Sequence, residues 1–173
     1  GVRAQLGITT SETSLLNVEA GGIGVLSQTG SVTLLSREGE EASITAGGDG
    51  VVSADKVIIS QPGEWSIDAG TVGIRAQGDV TVGGTEEGVC NLSITSSAES
   101  IWSENANVLM GPCEDLYFFD GTVHVNSSIG KTLSVLEGAG LLYGSRNGFA
   151  IGIIRKDYTI TADMTPELLQ LRT

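Results

Sequence analysis

The chain has 173 residues, of which 25 are glycine, 5% are aromatic and 17% are charged, and its formal net charge is −12. This composition favours short strands and tight turns over long helices. The acidic balance argues against nucleic acid as a partner, because phosphate binding requires clustered Lys and Arg. No apolar run reaches the roughly 20 residues that a membrane span needs, so no span is expected.

After a predicted lead-in over residues 1–16, four similar stretches begin at Asn17, Ser43, Ser66 and Ser93. Their starts are 26, 23 and 27 residues apart. Repeats of 20 to 50 residues are typical of stacked architectures. The four copies predict a repeat region over residues 17–110.

Aliphatic residues recur at matching places in the four copies. Within each copy they alternate with small or polar residues, which is typical of strands with one buried face. Each copy therefore predicts three short strands and three corners, which is one turn of a β-solenoid, and stacked turns would bury the aliphatic columns. The predicted core columns are Val18, Ile44, Ile67 and Ile94; Val25, Val51, Ile74 and Ile101; and Val32, Val57, Val80 and Val108.

The pattern blurs after the fourth copy, and residues 111–173 are predicted to form a β-rich cap or tip domain. The stretches Leu116–Val125 and Thr132–Leu136 are typical of strands, and Asn147-Gly148 indicates a hairpin. Thr165 followed by Pro166 favours a short terminal helix. A cap is expected because the last turn of a solenoid exposes unpaired strand edges.

The sequence GGDGVV, from Gly47 to Val52, has the composition of a calcium-binding glycine loop. Such a loop needs acids that recur in successive copies. Val51 stands where the second acid belongs, and the next copy has Val72 in place of Asp49. The stretch is therefore interpreted as a structural corner, and no metal or other cofactor is expected.

The remaining candidates for catalysis are isolated. His124 is the only histidine and lies between two valines of a predicted strand. The sequence SIGKTLS resembles the end of a phosphate-binding loop, but Val125 occupies the place of its first glycine. Acidic pairs that a glycoside hydrolase would need fall at predicted turns, and the chain is predicted not to be an enzyme. These pairs are Glu40-Glu41, Glu86-Glu87 and Glu114-Asp115.

Three aromatic residues, Trp65, Trp102 and Tyr143, are predicted as possible contacts to a receptor or partner chain. The two tryptophans lie at predicted strand positions, where a ring could cover a seam or stack on a sugar. The spacing of Cys90 and Cys113 leaves both a disulfide and two free thiols open.

The phrases SITAGG…GVVSA and SIDAG…VTVGG resemble the β-helical spikes and trimeric fibres of phage tails, and the needles of related bacterial secretion systems. The resemblance implies an intertwined homotrimer that forms a stiff, non-enzymatic rod of a virion tail, used for host attachment or penetration. It also implies contacts with other tail or baseplate proteins and with a glycan or protein of the host surface. Many such spikes end in a His-x-His iron site, and VHVN lacks the second histidine.

A physical consideration also favours a trimer, since narrow turns with small core residues bury little area per chain and three chains would pool it. Two other functions stay open. One is a single-chain solenoid adhesin, secreted or on a bacterial surface, and the other is a polysaccharide-cleaving β-helix. Ice binding is disfavoured because the column at Thr45 lacks a threonine rank, reading Glu19, Thr45, Asp68, Thr95.

Overall fold

Short strands, many of only three residues, follow one another around a three-sided coil. The computed structural model describes residues 1–13, 15–60, 63–83, 90–111, 113–119, 121–125, 129–135, 139–145, 148–150 and 158–160. This part of the chain is all-β, and its parallel sheets stack as a β-solenoid, which confirms the predicted fold class.

The strands belong to three sheets, and each turn contributes one strand to each sheet in the order C, A, B. Sheet A contains β1 (Val2–Ala4), β4 (Val25–Ser27), β7 (Val51–Ser53), β10 (Ile74–Ala76), β13 (Glu99–Ser103) and β16 (Thr122–Val125). Sheet B contains β2 (Ile8–Thr9), β5 (Val32–Leu34), β8 (Val57–Ile59), β11 (Val80–Val82), β14 (Val108–Met110), β17 (Leu133–Val135) and β20 (Tyr158–Ile160). Sheet C contains β3 (Asn17–Ala20), β6 (Glu41–Ala46), β9 (Gly63–Ala69), β12 (Cys90–Ser96), β15 (Cys113–Phe119), β18 (Ala139–Ser145) and β19 (Gly148–Ala150).

The aliphatic columns lie in register along the interior of the coil. In sheet C, Ile44 pairs with Ile67 and Ile67 pairs with Ile94, and all three side chains are buried. The columns that begin at Val25 and Val32 are paired and buried in the same way in sheets A and B. Neighbouring strands are about 4.8 Å apart, so each side chain contacts its equivalents in adjacent turns. One chain therefore buries these columns by itself.

Buried serines join successive turns at the corner between sheets A and B. The hydroxyl of Ser27 donates to the carbonyl oxygen of Leu6 (2.7 Å), and that of Ser53 donates to Gly30 (2.9 Å). Ser103 donates to the carbonyl oxygen of Gly78 (3.1 Å). Each acceptor lies in the preceding turn, so each serine hydrogen-bonds to the turn before its own.

We expect Ser53→Ala to lower the free energy of unfolding by about 1 kcal/mol, because it removes a buried hydrogen bond between turns. Chemical denaturation measures the change. The control is Ser66→Ala on the outer face of sheet C, which should leave the stability unchanged. An equal effect of both variants would contradict the role given to Ser53.

The stack extends beyond the repeat region that the sequence predicted. Strands β15, β16 and β17 pair in parallel with β12, β13 and β14, so the sheets have no boundary after residue 110. The lead-in over residues 1–16 also belongs to the stack, because β1 pairs with β4 and β2 pairs with β5. The pattern was hidden because Phe118 replaces isoleucine in its column and because the connection from Val125 to Leu133 is long.

The direction of pairing changes near the C-terminal end of the coil. Strand β19 pairs antiparallel with β18, which confirms the predicted hairpin, but Gly148 lies in β19 opposite Ser145 and not in the turn. Strand β20 pairs antiparallel with β17. The cap over residues 111–173 remains a prediction for the part that follows β17. The predicted helix at Thr165 lies outside the described residues.

Candidate functional site

The three outer faces of the coil differ in charge. Among the described strands, the outer positions of sheet C include Glu19, Glu41, Glu64 and Asp68 and no basic residue. The outer positions of sheet A include Arg3, Arg75 and His124. Those of sheet B include Thr9, Thr33, Ile58, Thr81, Leu109 and Ser134, none of which is charged.

A cationic and aromatic stack crosses three turns on the outer face of sheet A. Arg75 pairs with Trp102 across neighbouring strands, and Trp102 pairs with His124. The Arg75 guanidinium carbon lies 4.8 Å from the centre of the indole ring, within cation–π range. The His124 ring lies 4.8 Å from it on the next turn, tilted by 43°. Trp102 therefore contacts one side chain from each neighbouring turn, Arg75 and His124.

Asp49 anchors this stack through hydrogen bonds and an ion pair. One carboxylate oxygen accepts hydrogen bonds from the Thr71 hydroxyl and from the Val72 N–H (3.2 Å). The other accepts one from Arg75 Nε at 2.8 Å, which also makes an ion pair. Among the described residues no group of three or more His, Cys, Asp or Glu side chains could hold a metal ion. The corner at Asp49 is therefore held by protein donors.

The contacts of Asp49 also determine its ionisation. Burial on its own raises the pKa of the carboxyl, but the hydrogen bonds from Thr71, Arg75 and the Val72 N–H, together with the Arg75 charge, lower it by more. The pKa of Asp49 therefore lies below its ordinary value. A depressed carboxyl pKa adds stability above the unfolded-state pKa, and this stability is lost as the pH falls through the folded-state pKa.

We expect Asp49→Asn to lower the free energy of unfolding at neutral pH by about 1 kcal/mol, the scale of an ion pair near the surface. The difference from the unmodified chain should shrink as the pH falls below about 4, the ordinary carboxyl range. Denaturation measured across the acid range tests this, with the exposed Glu12→Gln as the control. A difference that does not change with pH would contradict the assignment.

Trp65 is not a surface contact, and that prediction is wrong. Its side chain is 1% exposed and faces the interior, in register with Ala42 and Leu92. The small Ala42 leaves room for the indole in the neighbouring turn. Tyr143 pairs with Phe118 through the backbone, and its side chain lies outside the described part of the chain. The side chains of Cys90 and Cys113 lie outside it as well.

The structure describes parts of the motifs that resembled catalytic elements. After Gly130 and Lys131 the chain enters strand β17, whereas a phosphate-binding loop opens a helix. Glu40 forms an ion pair with Arg37 at 3.1 Å. Glu86 and Glu87 lie outside the described residues.

A shallow groove lies on the outer face of sheet C. It has a volume of about 180 Å³, and the outward-facing residues that line it are Glu41, Glu64, Asn91, Ser93 and Tyr117. Glu41 and Glu64 are in register on neighbouring strands, so their side chains leave the sheet about 4.8 Å apart. This groove combines carboxylates, an amide, a hydroxyl and an aromatic ring.

Two features of sheet A were missed in the sequence although the repeat contained their signal. Counting one place beyond the Val25 column gives Leu26, Val52, Arg75 and Trp102, which is the outer row of sheet A. The column two places beyond the Val25 column contains the buried serines Ser27, Ser53 and Ser103. The distances between the rings and the guanidinium depend on side-chain rotamers, which the repeat does not specify.

No protein-family model, no curated protein and no solved structure matches this chain. The fold and the contacts described above define its class as a β-solenoid protein. In the described part of the chain no helix is long and apolar enough to cross a membrane.

Proposed function

We propose that this chain is a structural, non-enzymatic protein that forms the stiff shaft of a spike or fibre in a phage tail. The observation that carries the proposal is the unbroken set of in-register columns, from Val18 through Ile44 and Ile67 to Ile94 and Phe118. Bending a solenoid would separate neighbouring turns that are hydrogen-bonded at a fixed strand spacing, so a solenoid with one continuous core bends little. Such a rod transmits force or holds a receptor-binding tip away from the particle.

In this shaft three copies of the chain lie side by side. One chain buries its own columns, so the chains need not intertwine to bury them. The outer face of sheet B is uncharged in the described strands, where Leu109 is 36% exposed. On a chain with a net charge of −12, copies repel least where no charge lies between them. The face of sheet B is therefore the contact we propose between copies.

Immunoelectron microscopy of particles and cells from the source tests the location. An antibody against the chain should label phage tails. Label on a cell envelope would overturn the tail assignment and favour the adhesin. Light scattering tests the assembly, since the mass of one chain, 17.8 kDa, would exclude the trimer. Side-by-side copies should separate in SDS, whereas intertwined copies unwind slowly and resist it.

A second candidate function is glycan binding, and the groove on sheet C favours it. Tyr117 and Asn91 provide the aromatic ring and the amide that sugar recognition commonly uses, beside Glu41 and Glu64. A glycan array probed with the unmodified chain and with Tyr117→Ala tests this function. Release of reducing ends from a bound glycan, lost in Glu64→Gln, would instead support polysaccharide cleavage.

A further inference from the structure

Two buried hydroxyl groups meet at the corner between sheets C and A in the fourth turn. At this corner the first three turns have alanine at the end of the sheet C strand and glycine before the sheet A strand. In the fourth turn Ser96 and Ser100 occupy the two positions. The equivalent residues of the earlier turns are Ala20, Ala46 and Ala69, and Gly24, Gly50 and Gly73.

The next turn explains why a serine fits at this corner. In the turn after Gly73, the Cγ2 methyl of Ile94 occupies the space that a Cβ on residue 73 would need. In the turn after Ser100, the residue in register with Ile94 is Phe118. Phenylalanine has no methyl branch at Cβ, so it leaves this space to the serine side chain. The pairing register also shifts between Glu99 and Ile101, which makes Ser100 the extra residue of a β-bulge.

Neither hydroxyl is satisfied by the part of the protein that the structure describes. Ser96 is 2% exposed and Ser100 is fully buried, and neither Oγ has a hydrogen-bond partner among the described residues. Both oxygens lie against Gly121 of the next turn. A Cβ added there would lie 2.5 Å from Ser100 Oγ and closer still to Ser96 Oγ. The two oxygens are therefore near enough for one small molecule to bridge them.

Burying a hydroxyl without a partner is destabilising, and buried polar groups in proteins are nearly always paired with protein atoms or ordered water. We propose that Ser96 and Ser100 bind one internal water molecule at this corner, beside Gly121. Water both donates and accepts, so it satisfies two hydroxyls of either orientation, and internal waters typically make about three hydrogen bonds. Full burial of Ser100 excludes a larger ligand.

A crystal structure of the full chain, at a resolution that shows ordered water, tests the site directly. We expect density within hydrogen-bond distance of both Oγ atoms. The double variant Ser96→Ala with Ser100→Gly carries the residues of the earlier turns and should lose that density. Absence of density in the unmodified chain would overturn the proposal.

The change in melting temperature on Ser96→Ala is a second test, because its sign differs between a bridged and an unsatisfied pair of hydroxyls. If water bridges the hydroxyls, Ser96→Ala leaves the water and Ser100 with fewer bonds and should lower Tm by about 2–4 °C. If no water is bound, the same change removes a buried hydroxyl that has no hydrogen-bond partner and should raise Tm. That result would overturn the proposal. Ser93→Ala on the outer face of sheet C is the matched control and should leave Tm unchanged.

Discussion

Replacing Ile67 by aspartate is expected to unfold the chain. The side chain is 1% exposed and lies between Ile44 and Ile94 in the interior column of sheet C. A buried carboxylate without a partner costs several kcal/mol after relaxation, and the lost aliphatic contacts add about 2–5 kcal/mol. Together these approach the 5–15 kcal/mol that a whole domain typically has.

Far-UV circular dichroism and limited proteolysis measure the effect of Ile67→Asp. The matched control is Ser66→Asp, which places the same carboxylate one residue earlier in β9, on the outer face of the sheet. We expect that variant to keep the strand signal and the resistance to protease. Similar behaviour of the two variants would mean that residues 66 and 67 do not face opposite sides.

Replacing Gly50 by alanine is expected to cost about 2–4 kcal/mol, a large effect for one methyl group. A Cβ at Gly50 would lie 2.6 Å from the carbonyl oxygen of Gly73 and 2.6 Å from Cγ2 of Ile67. Both atoms belong to the next turn, and the carbonyl is backbone, so the methyl group can be admitted only by separating the turns. The strand spacing of about 4.8 Å opposes this separation.

Gly22→Ala is the control for Gly50→Ala. Gly22 lies at a corner of the preceding turn, where a Cβ would meet nothing within 4 Å. Alanine there should be neutral or should stabilise by up to about 1 kcal/mol, because it restricts the unfolded chain. Thermal and chemical denaturation compare the two variants. An equal loss in both would show that the turns do not approach each other at Gly50.

The core could be predicted from the sequence because parallel turns stack in register. A residue such as Ile67 must then match Ile44 and Ile94 in kind, and the match is visible as a repeat. The position of Trp65 could have been predicted too. It is two residues before Ile67 and therefore in phase with it along the strand.

Other features depend on atoms that the repeat does not constrain. The turn that contains Phe118 was missed because an aromatic residue interrupts the aliphatic column. The ion pair of Asp49 with Arg75 joins two turns through side chains that appear in one copy only. The same holds for the hydroxyls of Ser96 and Ser100. Surface and corner chemistry in a solenoid therefore varies from turn to turn, while the core repeats.

The most direct test of the account is the set of methyl–methyl nuclear Overhauser effects along the column of Ile44, Ile67 and Ile94. In a uniformly labelled sample we expect contacts from Ile67 to both other isoleucines. In a mixture of labelled and unlabelled chains, an isotope-filtered experiment should show none of these contacts between chains. Absence of the contacts in the first sample would contradict the stacked columns. Their appearance between chains would contradict a core that closes within one chain.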